Sequence, residues 1–186
     1  MRIISGKFKG KKISPPIDRN TRPLRDLVKE SIFNVINHSN KIKINLEKSI
    51  ILDLFSGSGS FGLEAISRGA KSCLFVENYI QASNILDMNI KNLKCQISCK
   101  IFNLDCFKFI ENLKNSELKF DLIFLDPPYK EKKINILLEN ILDKNILKKD
   151  GILIVHRHKK DNIKLTEKLN IIDLRYYGIS KIIFAN

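Results

Sequence analysis

Asp53-Leu54-Phe55-Ser56-Gly57-Ser58-Gly59-Ser60-Phe61-Gly62 is the stretch that decides the fold. It follows the apolar run 50–55, which only Asp53 interrupts, and leads into a helical pattern over 61–68. Strand, glycine turn and helix in that order open a nucleoside-binding unit. The glycines let the backbone turn tightly and approach a ligand closely, with helix N–H groups facing it. Glu77 ends the next strand, 20 residues after Gly57, where a carboxylate accepts hydrogen bonds from both ribose hydroxyls. Three glycines alone mark only a tight turn. The strand, the helix and the downstream acid together point to a nucleoside cofactor.

Working outward, strands are expected at 72–76, 98–102, 121–125 and 151–156, and helices at 79–93, 107–113 and 134–142. Two closing strands follow at 171–176 and 180–184. Apolar strands alternating with helices predict an α/β fold with a doubly wound, mostly parallel sheet. Upstream, 2–5 and 11–14 flank a 6–10 turn and read as a hairpin. Pro15-Pro16 breaks regular structure, and Thr21-Arg22-Pro23 starts a helix over 24–36. The polar residues 39–48 suit a linker. The chain therefore divides into a basic arm with its helix (1–40) and a Rossmann-like domain (41–186).

Composition narrows the class. Hydrophobic residues make up 44% of 186, enough for a packed core rather than a disordered chain. No apolar run approaches the roughly 20 residues that cross a bilayer, and the N-terminus lacks signal-peptide character, so a cytoplasmic protein is expected. Cys73, Cys95, Cys99 and Cys106 form no C-x-x-C pair and read as small apolar residues in a reducing compartment. The formal net charge is +13, part of which an AT-rich genome would produce through lysine. Position is more telling: residues 1–30 hold nine Lys or Arg against three acids, including Arg2, Arg19, Arg22 and Arg25. A polyanion such as nucleic acid is the matching partner.

The chemistry of the turn selects among cofactors. Asp53 stands just ahead of the glycines, where a carboxylate repels a pyrophosphate but attracts an ammonium or a sulfonium. S-adenosylmethionine carries both. Asp53, Phe55, Ser56, Gly57, Gly59 and Glu77 are thus the candidate cofactor residues. Asp105 joins them as acceptor for the adenine amino group, with a helix N-cap as its competing role.

Asp126-Pro127-Pro128-Tyr129 ends the expected strand 121–125. Ligands bind beyond the carboxyl ends of such strands. Prolines stiffen the loop and lack N–H donors, leaving carbonyls and the Asp126 carboxylate as an acceptor-only group. An exocyclic amino group donates two hydrogens and matches it. Acceptors outside the ring plane favour a pyramidal nitrogen, freeing its lone pair to attack a methyl carbon. No metal is required. Tyr129 offers a face on which an extruded base stacks. These four residues are the candidate catalytic set. A proline turn with Tyr129 as packing is the bland alternative, and the glycine turn in the same chain weighs against it.

With both motifs in place, the sequence resembles the RsmD-type enzymes, bacterial 16S ribosomal RNA guanine-N2 methyltransferases. The resemblance covers nearly the whole chain. It rests on the opening Arg2–Lys12 segment, on Thr21-Arg22-Pro23, on Lys29-Glu30-Ser31-Ile32-Phe33-Asn34, on both motifs, on Glu77 and on Tyr177-Gly178. It implies a class I S-adenosylmethionine-dependent methyltransferase fold, with seven strands and an antiparallel final hairpin. It also implies methylation of one guanine N2 in small-subunit rRNA, on an assembled or partly assembled 30S subunit. The basic arm fits phosphate contacts, which position RNA without reading its sequence. Arg2, Lys7, Lys9, Lys11, Lys12, Arg22 and Arg25 are the RNA-contact candidates. A monomer with no membrane or metal partner is expected. Leu24, Lys29 and His156 depart from the family pattern, which often has Glu at the last. His156 and His158 read as a solvated basic strand end, with RNA contact as the alternative.

Three other classes compete. A DNA amino-methyltransferase shares the acceptor chemistry but usually needs a recognition domain for which 186 residues leave little room. A protein glutamine methyltransferase typically carries Asn in place of Asp126. A non-catalytic ribosome-assembly factor would not need both motifs intact.

Overall fold

The computed structural model describes residues 1–16, 24–113, 118–161 and 165–186. Thr21-Arg22-Pro23, and with it the RNA-contact candidate Arg22, lies outside the described residues.

Among the described residues one seven-stranded sheet runs in the order β3-β2-β1-β4-β5-β7-β6. Its strands are β1 (Ile50–Leu54), β2 (Ser72–Val76), β3 (Cys99–Phe102), β4 (Phe120–Leu125), β5 (Leu147–His158), β6 (Ile171–Tyr177) and β7 (Ser180–Ala185). The first five are parallel, and β7 returns antiparallel beside β5 with β6 at the edge. Helices α2 (Ser60–Ser67), α3 (Ile80–Leu93), α4 (Cys106–Asn112) and α5 (Ile134–Asp143) fill the crossovers, and α1 (Asp26–His38) precedes them.

Side-chain alternation sorts the sheet into two cores. Ile51, Phe75, Leu122, Phe124, Ile154 and Phe184 pack with α1, α2 and α3, while Leu52, Leu54, Ile123, Leu125 and Val155 pack with α4 and α5. Phe61 of α2 stacks on Phe124 with ring centroids 3.8 Å apart, and Phe33 of α1 stacks behind it at 5.0 Å. Gly62 lets α2 lie close against β2. A Cβ there would stand 2.3 Å from the Phe75 ring and 2.6 Å from the Cys73 sulfur.

The expected hairpin is present as a single antiparallel bridge, Arg2 to Lys12, closed by Ile3 N–H to the Lys11 carbonyl and Gly10 N–H to the Ile3 carbonyl. The arm is fastened by side chains of the sheet-flanking helices. The buried Glu64 carboxylate accepts from the Ile4 and Ser5 N–H groups at 2.7 and 3.0 Å. Ser67 Oγ accepts from Phe8 N–H, and Asn89 bonds both backbone groups of Ser14. Ile3 and Ile13 share the core of α1–α3.

Three differences from the sequence expectations have physical causes. Helix α1 begins at Asp26 because Arg25 is extended as its N-cap, which turns Leu24 back into the core. The segment 39–48 is more than a linker: Ile42 and Leu46 are buried, and Leu46–Lys48 forms a 3-10 turn capped by Asn45. Strand β5 starts at Leu147 rather than 151: Leu147 pairs with Phe120, and the pairing with β4 is irregular between there and Ile152, where Lys148 reaches Asp121 at 2.8 Å.

Candidate active site

Register brings the functional residues to one level. Leu54 pairs with Val76 and with Leu125, and Leu125 pairs with Val155. The next residue on each strand, Phe55, Glu77, Asp126 and His156, therefore emerges at the same carboxyl edge. The sheet order reverses between β1 and β4, and an open α/β sheet places its ligand crevice at such a switch point. A cleft of about 810 Å³ lies there, lined among others by Asp53, Phe55, Ser56, Gly57, Glu77 and all of Asp126–Tyr129.

The glycine-turn wall is built from backbone. Gly57 and Gly59 hold positive φ, 55° and 82°, and Gly59 is the left-handed N-cap of α2. Gly57 N–H donates to Glu77 Oε2 at 2.7 Å and Tyr79 N–H to Oε1 at 2.9 Å, so both carboxylate oxygens are fixed in direction. Asp53 is buried and accepts from Gly62 N–H, in the first turn of α2, at 3.0 Å. Burial pushes its carboxyl well above the usual range, the Gly62 bond opposes that, and the neighbouring Asp126 and Glu77 add to it. Three carboxylates thus face one cleft, which disfavours an anion and suits a cationic ligand.

Two cofactor candidates do not line the cleft. Gly59 is buried below the turn, where a Cβ would meet Leu86 at 2.3 Å. Asp105 Oδ1 caps α4, accepting from Phe107 and Lys108 N–H.

The opposite wall is built from side chains far apart in sequence. His156 corrects the solvated-end expectation: it is 7% exposed and lines the cleft. Its Nδ1 lies 2.7 Å from Asp126 Oδ1 and its Nε2 2.8 Å from Ser180 Oγ on β7. Arg157, on the other face of β5, donates to the carbonyls of Pro128, Tyr129 and Glu131 at 3.1–3.2 Å and pairs with Asp161. Two of the loop's expected acceptors are thereby occupied. Tyr129 stands edge-on to His156 and His158, with centroids 6.3 and 5.1 Å away. Sequence reading missed His156, Arg157 and Ser180. A signal was available: two polar residues directly after the apolar run of β5 must sit beside Asp126 if β4 and β5 pair in parallel register.

The basic candidates divide. Arg25 lines the cleft, as does Lys130, which the sequence did not single out. Arg2, Lys7, Lys9, Lys11 and Lys12 are exposed on the arm; Arg2 lies 3.9 Å from Asp26, and Lys7 and Lys11 lie over the Phe8 ring. Lys29 is fully buried, donates to the Arg2 carbonyl and Ser60 Oγ, and lies 3.7 Å from Glu64, so it ties the arm to α1 and α2. Burial lowers its pKa, and Glu64 and Asp26 oppose the shift.

Sheet order, reversed final hairpin and crevice position define a class I S-adenosylmethionine-dependent methyltransferase fold. A solved structure from Escherichia coli superposes with a TM-score of 0.82 at 23% identity, covering 100% of this chain and 96% of that one. The model of the family described as conserved hypothetical protein 95 matches residues 1–186, and the chain belongs to this family, the RsmD family. A Bacillus subtilis relative named "Putative rRNA methyltransferase YlbH" is 36% identical over 160 residues, covering 86% of this chain and 84% of its own length. Ribosomal RNA small subunit methyltransferase D of Haemophilus influenzae is 33% identical over 184 residues, covering 96% and 90%.

Proposed function

We infer that this chain transfers a methyl group from S-adenosylmethionine to ribosomal RNA, and that the acceptor is the N2 amino group of one guanine in the 16S rRNA of the small subunit. The observation that carries the reading is the meeting of the glycine turn and the Asp126–Tyr129 loop in one cleft at the switch point. The relatives named as rRNA methyltransferases support the substrate class.

When bound, S-adenosylmethionine supplies an electrophilic methyl group on a sulfonium. Glu77 accepts from the ribose hydroxyls with the lone pairs that Gly57 and Tyr79 leave. Asp53, beneath the turn, favours the cationic end. Asp105 stands outside the cleft lining and caps α4 through Oδ1, so an adenine contact would fall to its Oδ2. With the Pro128 and Tyr129 carbonyls held by Arg157, the acceptors for the guanine amino group are Asp126 Oδ2 and the Pro127 carbonyl. They orient the nitrogen lone pair and take the proton that nitrogen sheds as its new bond to carbon forms. That nitrogen becomes acidic during transfer, so a carboxylate is base enough. Tyr129 stacks on the extruded base, and Arg25, Lys130 and the arm lysines hold phosphates.

The test uses methyl-labelled cofactor and small subunits from a strain lacking the modification. Label should enter one guanine at N2. Label at an adenine or cytosine, or only in DNA, would overturn the assignment.

A further inference from the structure

The contact between Asp126 and His156 assigns a role that neither motif contains. A carboxylate oxygen and an imidazole nitrogen 2.7 Å apart must share a proton, because two bare lone pairs repel at that distance. With Asp126 as the acceptor, His156 carries its proton on Nδ1. Nε2 then presents a lone pair, and Ser180 Oγ, 2.8 Å away, donates to it. Ser180 is 4% exposed and His156 7%, so the bond between them is buried, while the Asp126 side chain keeps 21% of its surface open to the cleft. The order Ser180, His156, Asp126 runs from β7 across β5 to the end of β4, through neighbouring strands of a rigid sheet.

We propose that His156 is the positioning residue of this active site: its Nδ1–H occupies Asp126 Oδ1, leaving Oδ2 to face the amino group, while Ser180 fixes the tautomer. Asp126 follows a strand and precedes two prolines, so its backbone is constrained but its side-chain torsions are not. An unheld carboxylate would rotate, and a small misplacement of a reacting group is costly in rate. The hydrogen bond also draws charge from Oδ1 while Oδ2 keeps its lone pairs for the amino group.

The inference rests on the methyltransferase reading, and the test separates the two. One arm is spectroscopic and needs no cofactor or RNA. The chain has three histidines, so nitrogen-15 correlation spectra resolve the His156 ring. The neutral ring should be the Nδ1–H tautomer in the wild type and lose that preference in Asp126→Ala. The other arm is kinetic. His156→Leu keeps bulk but removes the donor and should lower kcat by about 10- to 100-fold, with KM for RNA and cofactor Kd unchanged. His156→Asn places an amide N–H where Nδ1 was and should restore kcat to within about three-fold of wild type. An Nε2–H tautomer in the wild type overturns the proposal. So does kcat for His156→Leu within about two-fold of wild type, or a folded His156→Asn as slow as His156→Leu. A wild type that methylates no RNA removes the functional reading, and the tautomer arm still decides who holds Asp126.

Discussion

The two walls of the cleft are made by opposite means. The glycine-turn wall takes its shape from backbone N–H groups within 57–79, each bonded to a carboxylate from the same βαβ unit. The Asp126–Tyr129 wall takes its shape from His156, Arg157 and Ser180, which lie 28–30 or more residues downstream on other strands. A wall made locally tolerates changes elsewhere in the fold. A wall made by distant side chains is only as good as the register of the sheet beneath it. The comparison predicts that damage to one wall weakens binding and damage to the other slows the chemical step.

The largest effect should come from Asp126→Ala. Removing a preorganised acceptor from a reacting group typically costs about 10²–10³ in kcat, and that loss is expected with cofactor affinity within about two-fold of wild type. Single-turnover methyl transfer and calorimetry check the two halves. A fully active Asp126→Ala would end the assignment of this wall to chemistry.

Glu77→Ala should do the reverse. It removes hydrogen bonds to the ligand and leaves Gly57 and Tyr79 N–H without their acceptor, for about a 10- to 100-fold loss in cofactor affinity. At saturating cofactor, kcat should recover most of its value. If kcat falls as far as it does for Asp126→Ala, the walls do not divide their labour.

Arg157→Met keeps the stem and removes the donors to three loop carbonyls. The loop should loosen around its two prolines, lowering kcat by about ten-fold and exposing 126–131 to limited proteolysis. Cofactor binding should be unaffected. Because Arg157 faces away from His156, combining this change with His156→Leu tests whether one loop is gripped from two independent sides: independent grips give additive losses.

The same contrast explains what the sequence made legible. The run 50–62 carries strand, turn and helix signals in order, and Glu77 follows at fixed spacing, so that wall was readable residue by residue. The strand positions of β2, β3 and β4 came within a residue or so because they are short apolar runs. His156 was misread because nothing local distinguishes a buried histidine bonded to a carboxylate from one at a wet strand end. The distinction lies in parallel register with β4 and in β7 covering the far side. Lys29 was unreadable for a similar reason: its partners, Glu64 and the Arg2 carbonyl, come from two other elements. Asp105 offered two readings in the sequence, and the capping one is visible in the helix that follows it.

The smallest effect is the one that separates the walls by pH. Asp53 is buried with its carboxyl raised well above the usual range, and the cationic methyl donor favours its ionised form. Cofactor binding should therefore release a proton, and affinity should fall several-fold as pH drops through the raised titration. For the empty protein the sign is opposite. A folded-state pKa above the unfolded one means that the folded chain binds the extra proton. That stabilisation is complete below the unfolded pKa and is lost as pH rises through the raised one. Asp53→Asn keeps an acceptor for Gly62 N–H but cannot ionise, so it should flatten both profiles at once. Calorimetry in buffers of different ionisation heat measures the released proton, and thermal melts across pH measure the stability. A wild-type affinity that does not change with pH, beside a melt that does, would mean that Asp53 serves the turn of α2 and leaves the cation to Glu77.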